Sequence, residues 1–96
     1  MKLEFEWDRK KSEINYIKHG ISFDEAITVF DDEFAAFLQD PDHSLTEDRH
    51  ILIGYSNYNN LLFISFTERN DKIRLISARK ATKNERKRHE ENYKKY

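Results

Sequence analysis

The N-terminal part of the chain shows two hydrophobic patterns in succession. Residues 3–7 alternate apolar and acidic side chains, which is typical of a half-buried strand. Asp8 then stands where it can cap a helix, and Gly20 suits the end of that helix because glycine adopts the left-handed conformation without steric cost. The pattern therefore predicts a strand followed by a helix over residues 9–18.

The apolar positions of this first helix are few. Ile14 and Ile17, with Tyr16 nearby, are the side chains that give it an apolar stripe. We therefore expect the helix to lie on the surface, with one narrow side buried against the rest of the protein.

A second helix has stronger signals. Ser22 and Glu25 form a capping box, in which the hydroxyl and the carboxylate each accept a hydrogen bond from a free backbone N–H. The apolar residues that follow recur at the spacing of a helix face that packs on a core. These residues are Phe23, Ala26, Ile27 and Phe30.

The hydrophobic period then changes from that of a helix to that of a strand. Turn-forming residues separate four strand-like segments, and their short connections predict an antiparallel meander over residues 34–39, 50–55, 61–67 and 73–79. Thr82 and Glu85 form a second capping box, which opens a terminal helix that runs to about Tyr93. The order strand, two helices, four strands, helix predicts an α+β domain with its helices against one face of a twisted sheet.

Composition narrows the class of protein. A chain of 96 residues has room for one hydrophobic core, so we expect a single domain over residues 1–96. The longest uncharged apolar run, residues 61–67, is far too short for a membrane span, and the N-terminus lacks the apolar core of a signal peptide. The absence of cysteine excludes disulfides, thiolate zinc sites and a cysteine nucleophile, and it fits a cytoplasmic protein.

The net charge of −1 hides an uneven distribution. Residues 79–96 carry eight basic and three acidic side chains, a net charge of +5, whereas residues 1–78 carry a net charge of −6. A basic end of this kind can meet a polyanion such as RNA, or it can dock against an acidic protein. It can equally be a solvated terminal helix.

One loop has the composition of a cation site. Residues 40–43 supply two aspartates and a histidine, and Glu47 and Asp48 follow. Oxygen-rich loops can hold a hard cation, but a loop of this composition is more often only a polar turn. The sequence has no glycine-rich phosphate loop and no zinc-protease motif, so we predict neither a metal site nor a cofactor.

The last predicted strand carries two arginines that are candidates for binding an anion, Arg74 and Arg79. Strict alternation puts Ser77 and Arg79 on one face with Ile73 and Leu75, and it puts Arg74 on the opposite face with Ile76, Ala78 and Lys80. An arginine in the middle of a strand needs a partner or an anion. The partner can be Glu68 or another acid across the hairpin, or the arginine can receive a phosphodiester.

Cleavage of RNA without a metal needs a base, a cation and an acid. His19 can be the base or the acid, and Glu68 can be the base. Arg69, Arg74 and Arg79 are planar donors that match phosphate oxygens. For His19 the alternative is a histidine that only complements the dipole at the end of its helix.

Several segments together resemble the BrnT family, the toxins of bacterial BrnT/BrnA toxin–antitoxin pairs. The strongest are Lys-His-Gly-Ile-Ser-Phe-Asp-Glu-Ala at residues 18–26 and Ile-Arg-Leu-Ile-Ser-Ala-Arg-Lys-Ala-Thr at residues 73–82. Phe-Glu-Trp-Asp at residues 5–8, Phe-Asp-Asp at residues 30–32 and Thr-Glu-Arg at residues 67–69 lie in the same order. A departure is Asn70, where related sequences often have glycine; asparagine tolerates the left-handed conformation, so this change affects the turn alone.

The resemblance implies a RelE-like fold and cytosolic action on RNA. It implies neutralisation by a BrnA antitoxin, whose ribbon-helix-helix domain contacts operator DNA, in a complex with two copies of each partner. Matched by position and joined by basic residues of the tail, the candidate catalytic residues are His19, Glu68, Arg74 and Arg79. The candidate RNA-binding residues are Lys18, Arg69, Ser77, Lys80, Lys83 and Arg86.

The sequence therefore predicts a metal-independent endoribonuclease toxin that inhibits translation. The alternative is a binding module without catalytic activity, which engages an antitoxin or nucleic acid through its basic C-terminal helix.

Overall fold

Nine elements follow one another in the computed structural model, which describes residues 2–39 and 48–94. They occur in the predicted order, with a 3₁₀ turn added after the second helix. The elements are β1 (Phe5–Glu6), α1 (Arg9–His19), α2 (Phe23–Ile27), the 3₁₀ turn (Thr28–Asp31), β2 (Ala36–Gln39), β3 (Arg49–Tyr55), β4 (Leu61–Arg69), β5 (Lys72–Lys80) and α3 (Lys83–Lys94).

The strands form one sheet with the order β1-β5-β4-β3-β2. Strands β2 to β5 pair in antiparallel fashion, and β1 lies parallel to β5 at the far edge, where Glu6 is opposite Arg74. Asn70 and Asp71 turn the chain between β4 and β5 with positive φ values of 53° and 64°. Asparagine and aspartate tolerate this conformation, so the short hairpin predicted here is confirmed.

Helix α2 packs its predicted apolar face on one side of the sheet. Phe23 and Ala26 are buried, and Ile27 and Phe30 pack against the same core. The Ser22 hydroxyl accepts the predicted hydrogen bond from the backbone N–H of Glu25 at 3.0 Å. On the sheet, the core is completed by Leu52, Leu62, Ile64, Phe66, Ile73, Leu75 and Ala78.

The carboxylate of Glu25 takes a different partner from the one predicted. It accepts hydrogen bonds from Ser56 Oγ at 2.6 Å and from Asn60 Nδ2 at 2.8 Å, both in the β3–β4 turn. The capping box of α2 therefore works on its serine side, while the buried glutamate ties α2 to the turn.

Helix α1 contradicts the predicted apolar stripe. Ile14 and Ile17 are 57% and 84% exposed, and Asn15 is the buried residue of the helix. The prediction was wrong because the helix is anchored by the amide of Asn15 and not by an apolar side chain. Gly20 ends the helix as predicted, with φ of 72° and its N–H donated to Tyr16 O at 2.8 Å.

The Asn15 amide completes the edge of β5. It accepts a hydrogen bond from Ala78 N at 3.0 Å and donates to Ala78 O at 2.9 Å, and it also donates to Ile21 O at 3.0 Å. Strand β1 ends at Glu6, opposite Arg74, so it does not reach Ala78. The side chain thus supplies the hydrogen bonds that a neighbouring strand would otherwise make to this fully buried residue.

An irregularity in β5 overturns the predicted alternation of its faces. Phe66 pairs with Leu75, but the residue before it in β4, Ser65, pairs with Ser77. Ile76 is therefore an extra residue in β5. Beyond this bulge the faces exchange: Ala78 joins Ile73 and Leu75 in the core. Ser77 and Arg79 lie on the other face, the same face as Arg74.

Helix α3 corrects a further expectation, because it lies on the opposite face from α2, whereas α1 lies at the edge of β5. Its Glu85 bonds to Arg79, and its buried His89 contacts the Tyr55 ring with centroids 6.0 Å apart. The predicted capping box of α3 is confirmed in both directions: Thr82 N donates to Glu85 Oε1 at 2.8 Å, and Glu85 N donates to Thr82 Oγ1 at 3.2 Å. The sheet is therefore covered on both faces, and α3 covers the second face at one end.

Candidate nucleic-acid interface

The face of the sheet that carries α3 is graded from apolar to cationic. We call it the outer face; the strand register arranges it in three rows that cross the sheet. The first row is Ala36, Ile53, Phe63 and Arg79; the second is Leu38, Ile51, Ser65 and Ser77; the third is Arg49, Thr67, Arg74 and Glu6. Helix α3 lies over the first row and also borders Leu38 of the second row. Ser65 and Thr67 are buried, so the half-buried polar side chains of the other two rows are Ser77, Arg49, Arg74 and Glu6.

Arg74 occupies the third row and is half-buried. Its Nη1 lies 3.9 Å from Glu6 Oε2, and both side chains are about one-third exposed. The partner is therefore on the neighbouring strand β1 rather than across the hairpin at Glu68. An ion pair this long and this exposed is weak, so it leaves the guanidinium able to receive a phosphate.

Arg79, in contrast, is held on several sides. Its Nη1 and Nη2 donate to the two carboxylate oxygens of Glu85 at 2.8 and 3.0 Å, and its guanidinium carbon lies 4.0 Å from the centroid of the Phe63 ring. The hydrogen bond from Arg79 lowers the pKa of Glu85. This pair is neutral overall and ties the start of α3 to β5, so Arg79 has a structural role that the sequence did not reveal.

A shallow pocket lies between α1 and the bulge of β5, with a cavity volume of about 190 Å³. It brings together three residues that the sequence singled out, Lys18, His19 and Ser77. Lys18 and His19 lie in the last turn of α1, at the carbonyl end of the helix dipole, which favours basic side chains. The walls are completed by Lys11, Ile14, Asn15 and Ile76.

Lys11 is a residue of this pocket that the sequence reasoning missed. Lys11 and Lys18 are seven residues apart, so they lie on one face of α1 with Asn15 between them. That spacing is visible in the sequence. It identifies the side of α1 that borders the pocket only when Asn15 is known to be the buried residue of the helix. The pocket thus presents two ammonium groups, an imidazole and a hydroxyl to a ligand.

Ser77 joins this pocket to the outer face. It lines the pocket with His19, and it also lies in the second row beside the arginine row that contains Arg74. Lys18, His19, Ser77 and Arg74 therefore surround one stretch of β5. Cations, an imidazole and a hydroxyl in this arrangement can bind a phosphodiester and move a proton to or from the ribose oxygens next to it.

Other predicted site residues lie elsewhere. Glu68 pairs with Ile73, so it belongs to the core side of the sheet at the exposed hairpin end. It is five residues along β4 from Phe63, the partner of Arg79, which is about 17 Å at the rise of a strand. Arg69 is also in this hairpin, whereas Lys80, Lys83 and Arg86 are exposed around the junction of β5 and α3.

The part of the chain that the structure describes contains neither a cluster of metal ligands nor a membrane-spanning helix. The predicted acidic loop at residues 40–47 lies outside the described residues. Within residues 2–39 and 48–94, no group of three or more His, Cys, Asp or Glu side chains is arranged to hold a metal ion. In the same described ranges, no helix is long and apolar enough to cross a membrane.

Comparisons with known proteins agree with the fold. A family model described as "Ribonuclease toxin, BrnT, of type II toxin-antitoxin system" matches residues 7–85. The chain is also similar to the crystal structure of the ribonuclease toxin BrnT from Brucella abortus, with a TM-score of 0.67 and 22% sequence identity over 85% of this chain and 100% of that chain. A search of curated proteins gives no match. At this identity, the structural likeness establishes the α+β fold.

Proposed function

We infer the function from one premise: the chain belongs to the BrnT family of ribonuclease toxins of type II toxin–antitoxin systems. We propose that it is an endoribonuclease that cleaves RNA without a metal ion and so inhibits translation. The observation that carries the proposal is the meeting of Lys18, His19 and Ser77 in one pocket, next to the arginine row of the outer face.

In this proposal His19 moves a proton and Arg74 stabilises negative charge on the phosphoryl oxygens. His19 is half-buried at the pocket wall, where an imidazole can accept the proton of a ribose 2′-OH or return one to the leaving oxygen. Lys18 and Ser77 hold the same phosphate, and the newly found Lys11 assists them. The cations neutralise the charge that a metal ion would otherwise neutralise.

The other proposed residues act further from this pocket. Glu68 remains a proposed proton-transfer residue and Arg69 a proposed RNA contact, both at the β4–β5 hairpin. Arg79 contributes through its ion pair with Glu85, which holds α3 in place at the end of the first row. Lys80, Lys83 and Arg86 are proposed to contact the RNA beyond the cut.

The biological setting follows from the same premise. We propose a single RelE-like toxin domain over residues 1–96 that acts in the cytoplasm. Its proposed inhibitor is a BrnA-type antitoxin with a ribbon-helix-helix domain, in a heterotetramer with two copies of each chain. Contact with operator DNA is then made by the antitoxin.

The experiment is cleavage of bulk cellular RNA by the purified, antitoxin-free protein in excess EDTA. We expect cleavage to persist, and we expect His19→Ala and Arg74→Ala to lower its rate by about 10²-fold or more. Lys10→Ala is the matched control, because Lys10 is an exposed cation of α1 outside the pocket. Loss of cleavage with EDTA, recovered on adding a divalent cation, would refute metal independence; equal rates for all variants would refute the site.

A second candidate function is a binding module without catalytic activity. The observation that favours it is the exposed cationic surface of α3, which includes Lys83, Arg86 and Lys87. Replacing these three residues by alanine separates the two functions. A binding module would lose RNA binding with this triple variant and keep it with Arg74→Ala, whereas the ribonuclease would lose more activity with Arg74→Ala.

A further inference from the structure

A groove lies between α3 and the first row of the outer face, with a cavity volume of about 310 Å³. Its floor is apolar and includes Leu38, Ile53 and Phe63. Its wall on α3 is polar and includes Arg88 and Asn92. These two residues are four positions apart, so they lie on the same side of the helix.

This combination of surfaces matches a nucleobase. A base has two apolar faces that need a flat apolar or aromatic contact, and a polar edge that needs hydrogen-bond donors and acceptors on one side. An aliphatic side chain from a protein would use the floor but not the amide and guanidinium of the wall.

The groove is also next to where the proposed phosphate site lies. Its floor belongs to the first row and to Leu38 at the far end of the second, whereas Ser77 is in the second row and Arg74 in the third. Successive rows are about 7 Å apart along the strands, since each row advances two residues. An RNA strand whose phosphate lies on Ser77 and Arg74 therefore has a base within reach of the groove.

Arg79 lies in the first row next to Phe63 of the groove floor. Its guanidinium covers the Phe63 ring, and the two hydrogen bonds to Glu85 hold its plane in place. Arginine planes held in this way are surfaces on which RNA bases stack. The ion pair that makes Arg79 neutral toward phosphate thus makes it a fixed platform for a base.

We propose that this groove is a subsite for a purine base of the RNA substrate. Arginine reads guanine through two hydrogen bonds and asparagine reads adenine in the same way, so Arg88 and Asn92 together suit purines. The inference rests on the proposed ribonuclease function, to which it adds a preference for the base beside the cut.

The test uses short labelled RNAs that differ at one position, with A, G, C or U next to a fixed flanking sequence. Two quantities are measured for each RNA: the cleavage rate, with the cut mapped, and the binding affinity from fluorescence anisotropy. We expect purines to be preferred by roughly 5- to 100-fold at one position. We expect Arg88→Ala and Asn92→Ala to flatten this preference, and Leu38→Trp, which fills the groove from the sheet, to abolish it.

Lys87→Ala is the matched control, because Lys87 is an exposed cation of α3 that does not line the groove. It should weaken binding to all four RNAs equally. A pyrimidine preference, no preference, or an unchanged preference in the groove variants would overturn the subsite while leaving the ribonuclease intact. If the wild-type protein cuts no RNA, the proposed function fails, and the affinity panel still decides whether the groove selects purines. A groove that instead serves a protein partner would leave the RNA panel unchanged in Leu38→Trp and lower affinity for the antitoxin.

Discussion

The two N-terminal helices both pack against the sheet but are held there by opposite means. Helix α2 buries Phe23 and Ala26, which are 1% and 0% exposed. Helix α1 leaves Ile14 and Ile17 largely exposed and buries Asn15, whose amide makes three hydrogen bonds. Apolar contact holds the helix that builds the core, and hydrogen bonds hold the helix that carries the proposed site.

The difference shows how a small protein can place a helix at its edge. Apolar contacts are non-directional and tolerate sliding, whereas three hydrogen bonds from one amide fix both the position and the rotation of α1. This rotation turns Lys11, Lys18 and His19 toward Ser77. Helix α1 therefore buries little apolar surface but has a fixed orientation. The apolar contacts of α2 and the hydrogen bonds of α1 can be tested separately.

The largest effect is expected from removing the apolar anchor of α2. Phe23→Ala deletes a fully buried ring and should lower the free energy of unfolding by about 3–5 kcal/mol. Urea denaturation followed by circular dichroism measures this change. A loss below about 1 kcal/mol would contradict the assignment of Phe23 to the core.

Asn15→Ala should come next, with a loss of about 2–4 kcal/mol. The change leaves the buried N–H and C=O of Ala78 without the partner that Asn15 supplies, and each such group costs about 1–3 kcal/mol. RNA cleavage should fall more than stability alone explains, since α1 loses its orientation. Activity measured well below the melting temperature, with Ser12→Ala as control, separates the two effects; unchanged activity in the folded variant would show that Asn15 does not orient the site.

Helix α3 gives an intermediate case, because an ion pair and a capping box hold its start. The pKa of Glu85 is lowered by Arg79, so the folded state binds this proton less readily than the unfolded state. The pair therefore stabilises the protein fully above the ordinary carboxyl pKa, and this stabilisation is lost as the pH falls through the lowered pKa. In Glu85→Gln, the free energy of unfolding should fall less than in the wild type as the pH is lowered from 5. Urea denaturation at a series of pH values measures this fall. The same pH dependence in both proteins would contradict a stabilising role of the ionised Glu85.

The smallest effect is expected at the outward side of α1. Ile17→Ser changes a residue that is 84% exposed, so the free energy of unfolding should stay within about 0.5 kcal/mol of the wild type. The same denaturation experiment checks this. A loss comparable to that of Asn15→Ala would show that the isoleucine, as the sequence suggested, is the anchor of the helix.

The sequence predicted those parts of the fold that local patterns determine. The helix face of α2, the serine cap, the glycine stop of α1 and the capping box of α3 depend on neighbouring residues, and all are confirmed. The prediction of the buried side of α1 was wrong because the hydrophobic pattern cannot reveal an asparagine that forms hydrogen bonds with a strand edge. The prediction that all helices lie on one face was wrong for α3 because the amphipathicity of a helix does not say which face of the sheet it covers.

The sequence predicted which residues belong to the candidate site, but it did not predict how they are arranged. Lys18, His19 and Ser77 came from segments far apart in the chain, and the resemblance, rather than any spacing, linked them. Glu68 was expected beside Arg74 because the two residues lie across the predicted hairpin from each other. The pairing of Glu68 with Ile73 puts it on the other side of the sheet, which a sequence cannot show without the register.

The extra residue at Ile76 makes the outer face depend on the pairing register of β5 as well as on its residue types. If Ile76 were paired in the ladder and the strand alternated strictly, Ser77 and Arg79 would turn toward the core and Ala78 would turn outward. Substitutions along β5 change the outer face one side chain at a time, whereas loss of the bulge with every residue kept would invert it over three positions. The bulge is thus itself part of how the protein encodes its proposed RNA-facing surface.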